Sequence, residues 1–265
     1  MTQSDQRLYS EVLYEVRDHV ARVTIDREPK RNALSFDTTE QLLESFRRAD
    51  RDRDVRAVIL SGAGGKAFCA GADLVSIRGD DDVEQAHADR GNLAALFTLM
   101  YGLGKPTIAR VQGYALAGGF GLALACDFVV ASENAVFGAP EVNVGLWPYM
   151  ITVPLVRSMR HKDALDLILT ARRVSAAEGR ELGFVSRLTS VSALDTTVEE
   201  LAATLAGRSP GAVRLGRPAF YRALDQSSTQ ALPELQAILS IATATADAAE
   251  GVAAFRDKRD PIWPT

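Results

Sequence analysis

Residues 107–130 read TIARVQGYALAGGFGLALACDFVV, and this stretch decides the fold class. Thr107-Ile108-Ala109-Arg110-Val111 reads as a strand. Gly113–Gly118 reads as a glycine-rich turn, Gly119–Cys126 as a short apolar helix, and Asp127–Val130 as a further strand. The same order appears upstream. Val20–Ile25 alternates apolar and polar residues, and Glu11–Val16 can pair with it. Ser35 opens a helical stripe of Phe36, Leu42, Leu43 and Phe46 with a charged end at Arg47–Asp54. Val55–Leu60 is a buried strand running into a Ser61–Gly65 loop, and after the charged break 79–82 a helix of about 18 residues ends near Tyr101. Alternating strands and helices predict α/β with largely parallel pairing.

Beyond about Tyr149 the pattern turns helical, apart from a short strand near Val185–Leu188. The last ~70 residues are Ala- and Leu-rich, with interruptions expected at Pro210, Pro218 and Pro233. The expected division is a core over 1–195 and a helical region over 196–265, whose apolar stripe is expected to meet a partner subunit.

Composition removes several function classes. The 265 residues carry 30 basic and 34 acidic side chains, a formal charge of −4, which offers no basic face to nucleic acid or an anionic membrane. No apolar run approaches the ~20 residues of a membrane-spanning helix. Cys69 and Cys126 lie outside any CxxC pattern and read as buried free thiols. His19, His87 and His161 lack metal-ligand spacing, and no GxSxG motif is present. The N-terminal residues resemble neither a signal nor a transit peptide, so a cytoplasmic location is expected.

Two loops follow buried strands and expose backbone, Gly62–Asp73 and Gly113–Gly121. Small residues there let a ligand approach main-chain N–H groups, and loops at strand carboxyl ends are the usual site in α/β sheets; tight packing is the competing explanation. Gly62-x-Gly64 superficially fits a dinucleotide fingerprint but does not open a helix, and Gly65-Lys66 is followed by Ala67 rather than the Ser or Thr of a P-loop.

These loops carry a specific resemblance. Lys66-Ala67-Phe68-Cys69-Ala70-Gly71-Ala72-Asp73-Leu74, Gln112–Gly119 followed by Ala125-Cys126-Asp127, and Phe137–Gly145 resemble three signatures of the enoyl-CoA hydratase/isomerase (crotonase) family. Arg31-Asn32-Ala33-Leu34 and the tail Gly251–Arg259 match as well. The resemblance implies a crotonase-like spiral of repeated ββα units with a helical C-terminal trimerisation region, forming a homotrimer or dimer of trimers. It implies an acyl-CoA thioester as the small-molecule partner, with CoA part of the substrate and no metal or redox cofactor.

By that resemblance the N–H groups of Ala72 and Gly118 form an oxyanion hole around the thioester oxygen, and Glu141 is the acid/base group. Glu141 is the sole charged residue between Ala139 and Ile151, a setting that raises a carboxyl pKa toward neutrality. Arg31, Ala33, Leu34 and Lys66 would lie along CoA. Ala70, Asp73, Leu74, Gly119, Gly121 and Trp147 would line the substrate site, with Asp73 also able to hold its loop. Phe255 and Lys258 would reach CoA from the C-terminal segment, although a basic residue at a helix end is equally explained by the helix dipole.

Gly121 departs from the pattern. Typical hydratases of the family carry their first catalytic glutamate at this position, so one of two carboxylates is missing. That weakens a plain hydratase assignment and leaves open a single-glutamate double-bond isomerase. An enlarged pocket for a branched acyl chain, or a non-catalytic acyl-CoA-binding relative, is also open. Tyr149, Trp147 and Tyr101 are candidates for a replacement group.

Overall fold

The computed structural model describes residues 10–73 and 83–264. The chain opens with a hairpin, β1 (Val12–Arg17) and β2 (Val20–Ile25), then α1 (Phe36–Arg51). Ser35 caps α1 by accepting from the Thr38 N–H, and the Thr38 hydroxyl oxygen in turn accepts from the Ser35 N–H; Leu42, Leu43, Phe46 and Ala49 form its buried face. Three repeats follow in which two strands precede a helix: β3 (Ala57–Gly62), β4 (Ala67–Cys69) and α2 (Val83–Gly102); β5 (Thr107–Val111), β6 (Tyr114–Leu116) and α3 (Gly118–Ala125); β7 (Phe128–Ser132), β8 (Val136–Gly138) and α4 (Thr152–Ser158). Next come α5 (His161–Thr170), β9 (Val174–Ser175), α6 (Ala176–Glu181), β10 (Arg187–Thr189) and α7 (Leu194–Ala206). Helices α8 (Pro210–Leu224), α9 (Ser228–Thr243) and α10 (Ala246–Asp257) end the chain.

Each repeat places its first strand in one sheet and its second in another, which makes the spiral. Among the described residues the larger sheet has the order β1-β2-β3-β5-β7-β10, and the smaller the order β4-β6-β8-β9. Pairing is parallel except for β1–β2 and β8–β9.

The central strands are apolar without alternation because both faces are covered. Val58, Leu60, Ala109, Val111, Val129 and Ala131 face the main core. Their neighbours Ala57, Ile59, Ile108 and Val130 instead meet Leu194, Val198, Leu201 and Ala202 of α7.

Local expectations need three corrections. Ser61 and Gly62 remain in β3, paired with Thr24 and Ile25, so the loop begins at Ala63. The turn expected over Gly113–Gly118 contains the three-residue strand β6, held between β4 and β8. Pro218 and Pro233 lie inside α8 and α9 without ending them; each removes one backbone donor, while packing of α8 on α2, α9 and α10 holds the adjoining turns. The charged break 79–82 lies outside the described residues. No single helix among the described residues is long and apolar enough to cross a membrane.

Candidate active site

The small sheet converts three distant segments into neighbours. Cys69 lies opposite Ala115, and Ala115 opposite Phe137, across the parallel strands β4, β6 and β8. Adjacent strands run about 4.8 Å apart. Three residues beyond this row come Ala72 and Gly118, and four beyond it Glu141. All three emerge at the same carboxyl end of the sheet, where α/β folds place their chemistry.

Leu34 joins the first two. Its N–H donates to the Gly71 carbonyl and its carbonyl accepts from the Asp73 N–H, each at 2.8 Å. An extended segment alternates its N–H directions, so the Ala72 N–H faces away from Leu34. The Leu34 side chain reaches Gly118, with Cδ1 3.2 Å from where a Cβ on that glycine would sit. Gly71, at φ 96°, permits the close approach, since a Cβ there would stand 2.6 Å from the Ala117 Cβ and 2.9 Å from the Leu116 carbonyl oxygen. Ala117 itself holds φ 51°, ψ −127°, and donates to the Gly138 carbonyl at 2.9 Å. Such a conformation costs an L-residue about 1–3 kcal/mol, and it turns the chain so that α3 begins at Gly118. Neither the Ala72 nor the Gly118 N–H meets a protein acceptor among the described residues. The Gly118 N–H also lies at the positive end of the α3 dipole.

Glu141 sits in the short 3-10 turn Pro140–Val144. Its Oε2 is sealed from solvent and meets no donor among the described residues. Burial raises its pKa above the usual carboxylate value, opposed in part by a hydrogen bond from its own backbone N–H. The arrangement therefore offers two unengaged amide donors and one carboxylate with elevated basicity.

The enoyl-CoA hydratase/isomerase family model matches residues 15–265. The chain belongs to that family. It is similar to the "Probable enoyl-CoA hydratase echA8" of Mycobacterium tuberculosis, 35% identical over 254 residues, 96% of this chain and 97% of that protein. It is 35% identical over 250 residues to the short-chain-enoyl-CoA hydratase of Clostridium acetobutylicum, covering 94% of this chain and 95% of the relative. The crystal structure of an enoyl-CoA hydratase of Mycobacterium smegmatis matches with a TM-score of 0.92 at 32% identity, over 97% of this chain and 100% of that one. Membership makes the chain an enzyme of the hydratase/isomerase class, with the crotonase spiral as its fold.

In this family member the segments 31–34 and 70–73 are zipped together, because Ala70 N–H also donates to the Arg31 carbonyl at 3.1 Å. Arg31 takes a left-handed backbone (φ 53°) and shares with Lys66 an open pocket of about 330 Å³, completed by Gly65, Gly113, Tyr114, Asn134 and Val136. A second pocket of about 290 Å³ is lined by the same two cations with Glu28 and Pro29.

Asp73 pairs with Arg27 at 3.2 Å, and Arg27 also binds Glu11 at 2.9 Å and the Ala33 carbonyl. That carboxylate holds its loop. Gly119 backs onto Cys69, and Trp147 is half-buried against the main core. Phe255 is 88% exposed near the end of α10, Lys258 caps that helix in a left-handed conformation, and neither lines the Arg31–Lys66 pockets. Leu74 lies outside the described residues.

The expectation that Gly121 enlarges the pocket is overturned. A Cβ there would fall 2.4 Å from Ile151 Cγ2, 2.9 Å from Ile151 Cβ and 3.1 Å from Phe97 Cζ, so hydrocarbon already fills the space. Tyr149 is largely exposed, while Tyr101 packs at a tilt against Tyr221 beneath Arg157.

Sequence reasoning missed Asn32. Its buried amide accepts from the Arg27 N–H at 3.0 Å and donates to the carbonyls of Ala63 and Ala67 at 2.9 and 2.8 Å. The signal was present as a polar residue between Arg31 and Ala33 in a quoted motif. Cys69 and Cys126 are free and buried, and burial pushes the Cys69 thiol up to about 12. No group of three or more His, Cys, Asp or Glu side chains is placed to hold a metal among the described residues.

Proposed function

We propose that the chain transforms acyl-CoA thioesters through an enolate, with Glu141 moving the proton and the Ala72 and Gly118 N–H groups stabilising the oxygen. The observation that carries this reading is the delivery of two unengaged amides and one half-buried carboxylate, its Oε2 without a donor among the described residues, to the same end of three adjacent strands. A thioester carbonyl in that space gains negative charge as its α-proton leaves. Donors already in place then favour the transition state more than the ground state. Losing one such donor typically costs about 3–4 kcal/mol of that stabilisation. Arg31 and Lys66 would hold CoA phosphates by charge-assisted hydrogen bonds. CoA enters as part of the substrate, and the mechanism calls on no metal or redox group.

A second reading, a single-glutamate isomerase rather than a hydratase, is favoured by the hydrocarbon packed against Gly121. The test is a panel of 2-enoyl- and 3-enoyl-CoA thioesters run on the native protein and on Glu141→Gln. The variant is expected to lose at least ~100-fold in turnover on its best substrate. Near-native turnover would remove Glu141 from the mechanism, and binding without turnover on any thioester would leave an acyl-CoA-binding relative.

A homotrimer, or a dimer of trimers, accompanies this reading. The exposed apolar side chains Phe220, Leu224, Leu232, Leu239 and Ile241 on α8 and α9 support a subunit contact. Sedimentation analysis giving a monomer at micromolar concentration would contradict it.

A further inference from the structure

We infer that Ile151, backed by Phe97, decides the outcome of the reaction by closing the α3 side of the site to water, so that the enzyme shifts a double bond rather than hydrating one. The inference rests on the enolate reading above and specifies the substrate class, a 3-enoyl thioester.

Gly121 stands one helical turn after Gly118, so a side chain carried there would share the face of α3 that presents the Gly118 amide. That volume belongs to Ile151, the residue before α4, and to Phe97 of α2, both buried. The two are apolar and tightly placed, and neither can hold or polarise a water molecule. The carboxylate delivered to this end of the sheet is Glu141, whose sealed Oε2 has no protein donor among the described residues.

Hydration places a water oxygen on C3 and a proton on C2, which requires a positioned water as well as a proton carrier. A double-bond shift requires neither water nor a second group. Glu141 as carboxylate takes the C2 proton of a 3-enoyl thioester. The C–H electron pair becomes the C1–C2 double bond of a dienolate as the carbonyl π pair moves onto the oxygen facing the two amides. The thioester carbonyl re-forms as C4 takes the same proton back from Glu141; the C1–C2 pair then shifts to C2–C3 and the C3–C4 pair bonds the proton. The product is the conjugated 2-enoyl thioester, nothing is added or lost, and the carboxylate is regenerated.

The experiment compares two rates on one carbon skeleton, isomerisation of 3-hexenoyl-CoA and hydration of 2-hexenoyl-CoA. The proteins are the native enzyme, Ile151→Ala, Gly121→Glu/Ile151→Gly and Glu141→Gln. Native enzyme is expected to isomerise at least ~100-fold faster than it hydrates, the lower range of what a positioned acid or base contributes. Ile151→Ala opens the wall and lowers that ratio. The double variant, which exchanges the isoleucine for a carboxylate, lowers it at least tenfold further. Equal rates in the native enzyme, or an unchanged ratio in a folded Ile151→Ala or double variant, overturn the inference. Should the double variant not fold, the native and Ile151→Ala ratios still decide. Glu141-dependent hydration as the faster native reaction defeats the role of Ile151 but leaves the enolate reading standing. No reaction with either substrate, or rates indifferent to Glu141→Gln, defeats both.

Discussion

Gly71→Ala probes the contact that brings the two amide donors together. Gly71 holds φ 96°, and a methyl group on it would lie 2.6 Å from the Ala117 Cβ and 2.9 Å from the Leu116 carbonyl oxygen. The unfavourable φ costs about 1–2 kcal/mol and the overpacking roughly 1–3, so a stability loss of about 2–5 kcal/mol is expected. A typical domain stability of about 5–15 kcal/mol leaves such a variant folded in the cold. Relief of the clash must separate the 70–73 segment from Ala117, and a misplacement on the order of 1 Å costs about 10²-fold in rate. Urea unfolding gives the first quantity, and steady-state turnover on the best enoyl-CoA substrate gives the second. The expected result is a folded protein with kcat down about 100-fold and KM little changed, since the transition state alone needs both donors. Native kcat in a variant that shows the full stability loss would refute the claim that this contact sets the site.

Three further outcomes are expected. Because burial raises the Glu141 pKa, the native state holds its proton over a range above pH 4.5 where the unfolded chain has lost it. Stability contributed by that proton therefore falls as pH rises through the range, while activity requiring the carboxylate rises. Glu141→Gln should remove both slopes and be more stable at neutral pH, and parallel pH profiles of melting and turnover check this. Asn32→Ala should lose about 2–3 kcal/mol by orphaning groups that its amide satisfies, read by urea unfolding at constant slope. Arg31→Ala and Lys66→Ala should each raise KM for the CoA thioester about tenfold with kcat preserved, and added salt should narrow the difference from native.

Much of this molecule can be read from its residues. The alternation of buried strands with amphipathic or apolar helices marks the repeat, and the Ser35 cap and the short helix after the second loop lie where their patterns place them. The strand Tyr114–Leu116 is hidden because three residues between glycines carry no periodicity, and only pairing with β4 and β8 makes them a strand. Runs such as Val58-Ile59-Leu60 announce burial without saying which residue faces α7 and which the main core, because both faces are covered. Pro218 and Pro233 are misread as breaks because tertiary packing outweighs one lost donor. Least legible is the neighbour of Gly121. Ile151 lies 30 residues away in the chain, and no local pattern says that its side chain fills the space a glycine leaves.

The central claim is that one carbonyl oxygen is shared by two main-chain amides supplied from neighbouring strand ends. A crystal structure with a saturated acyl-CoA bound measures it directly. The account predicts the thioester oxygen about 2.7–3.1 Å from both the Ala72 and the Gly118 nitrogen, with the α-carbon turned toward Glu141. An oxygen held by one amide or by neither, or an α-carbon facing away from that carboxylate, would contradict it.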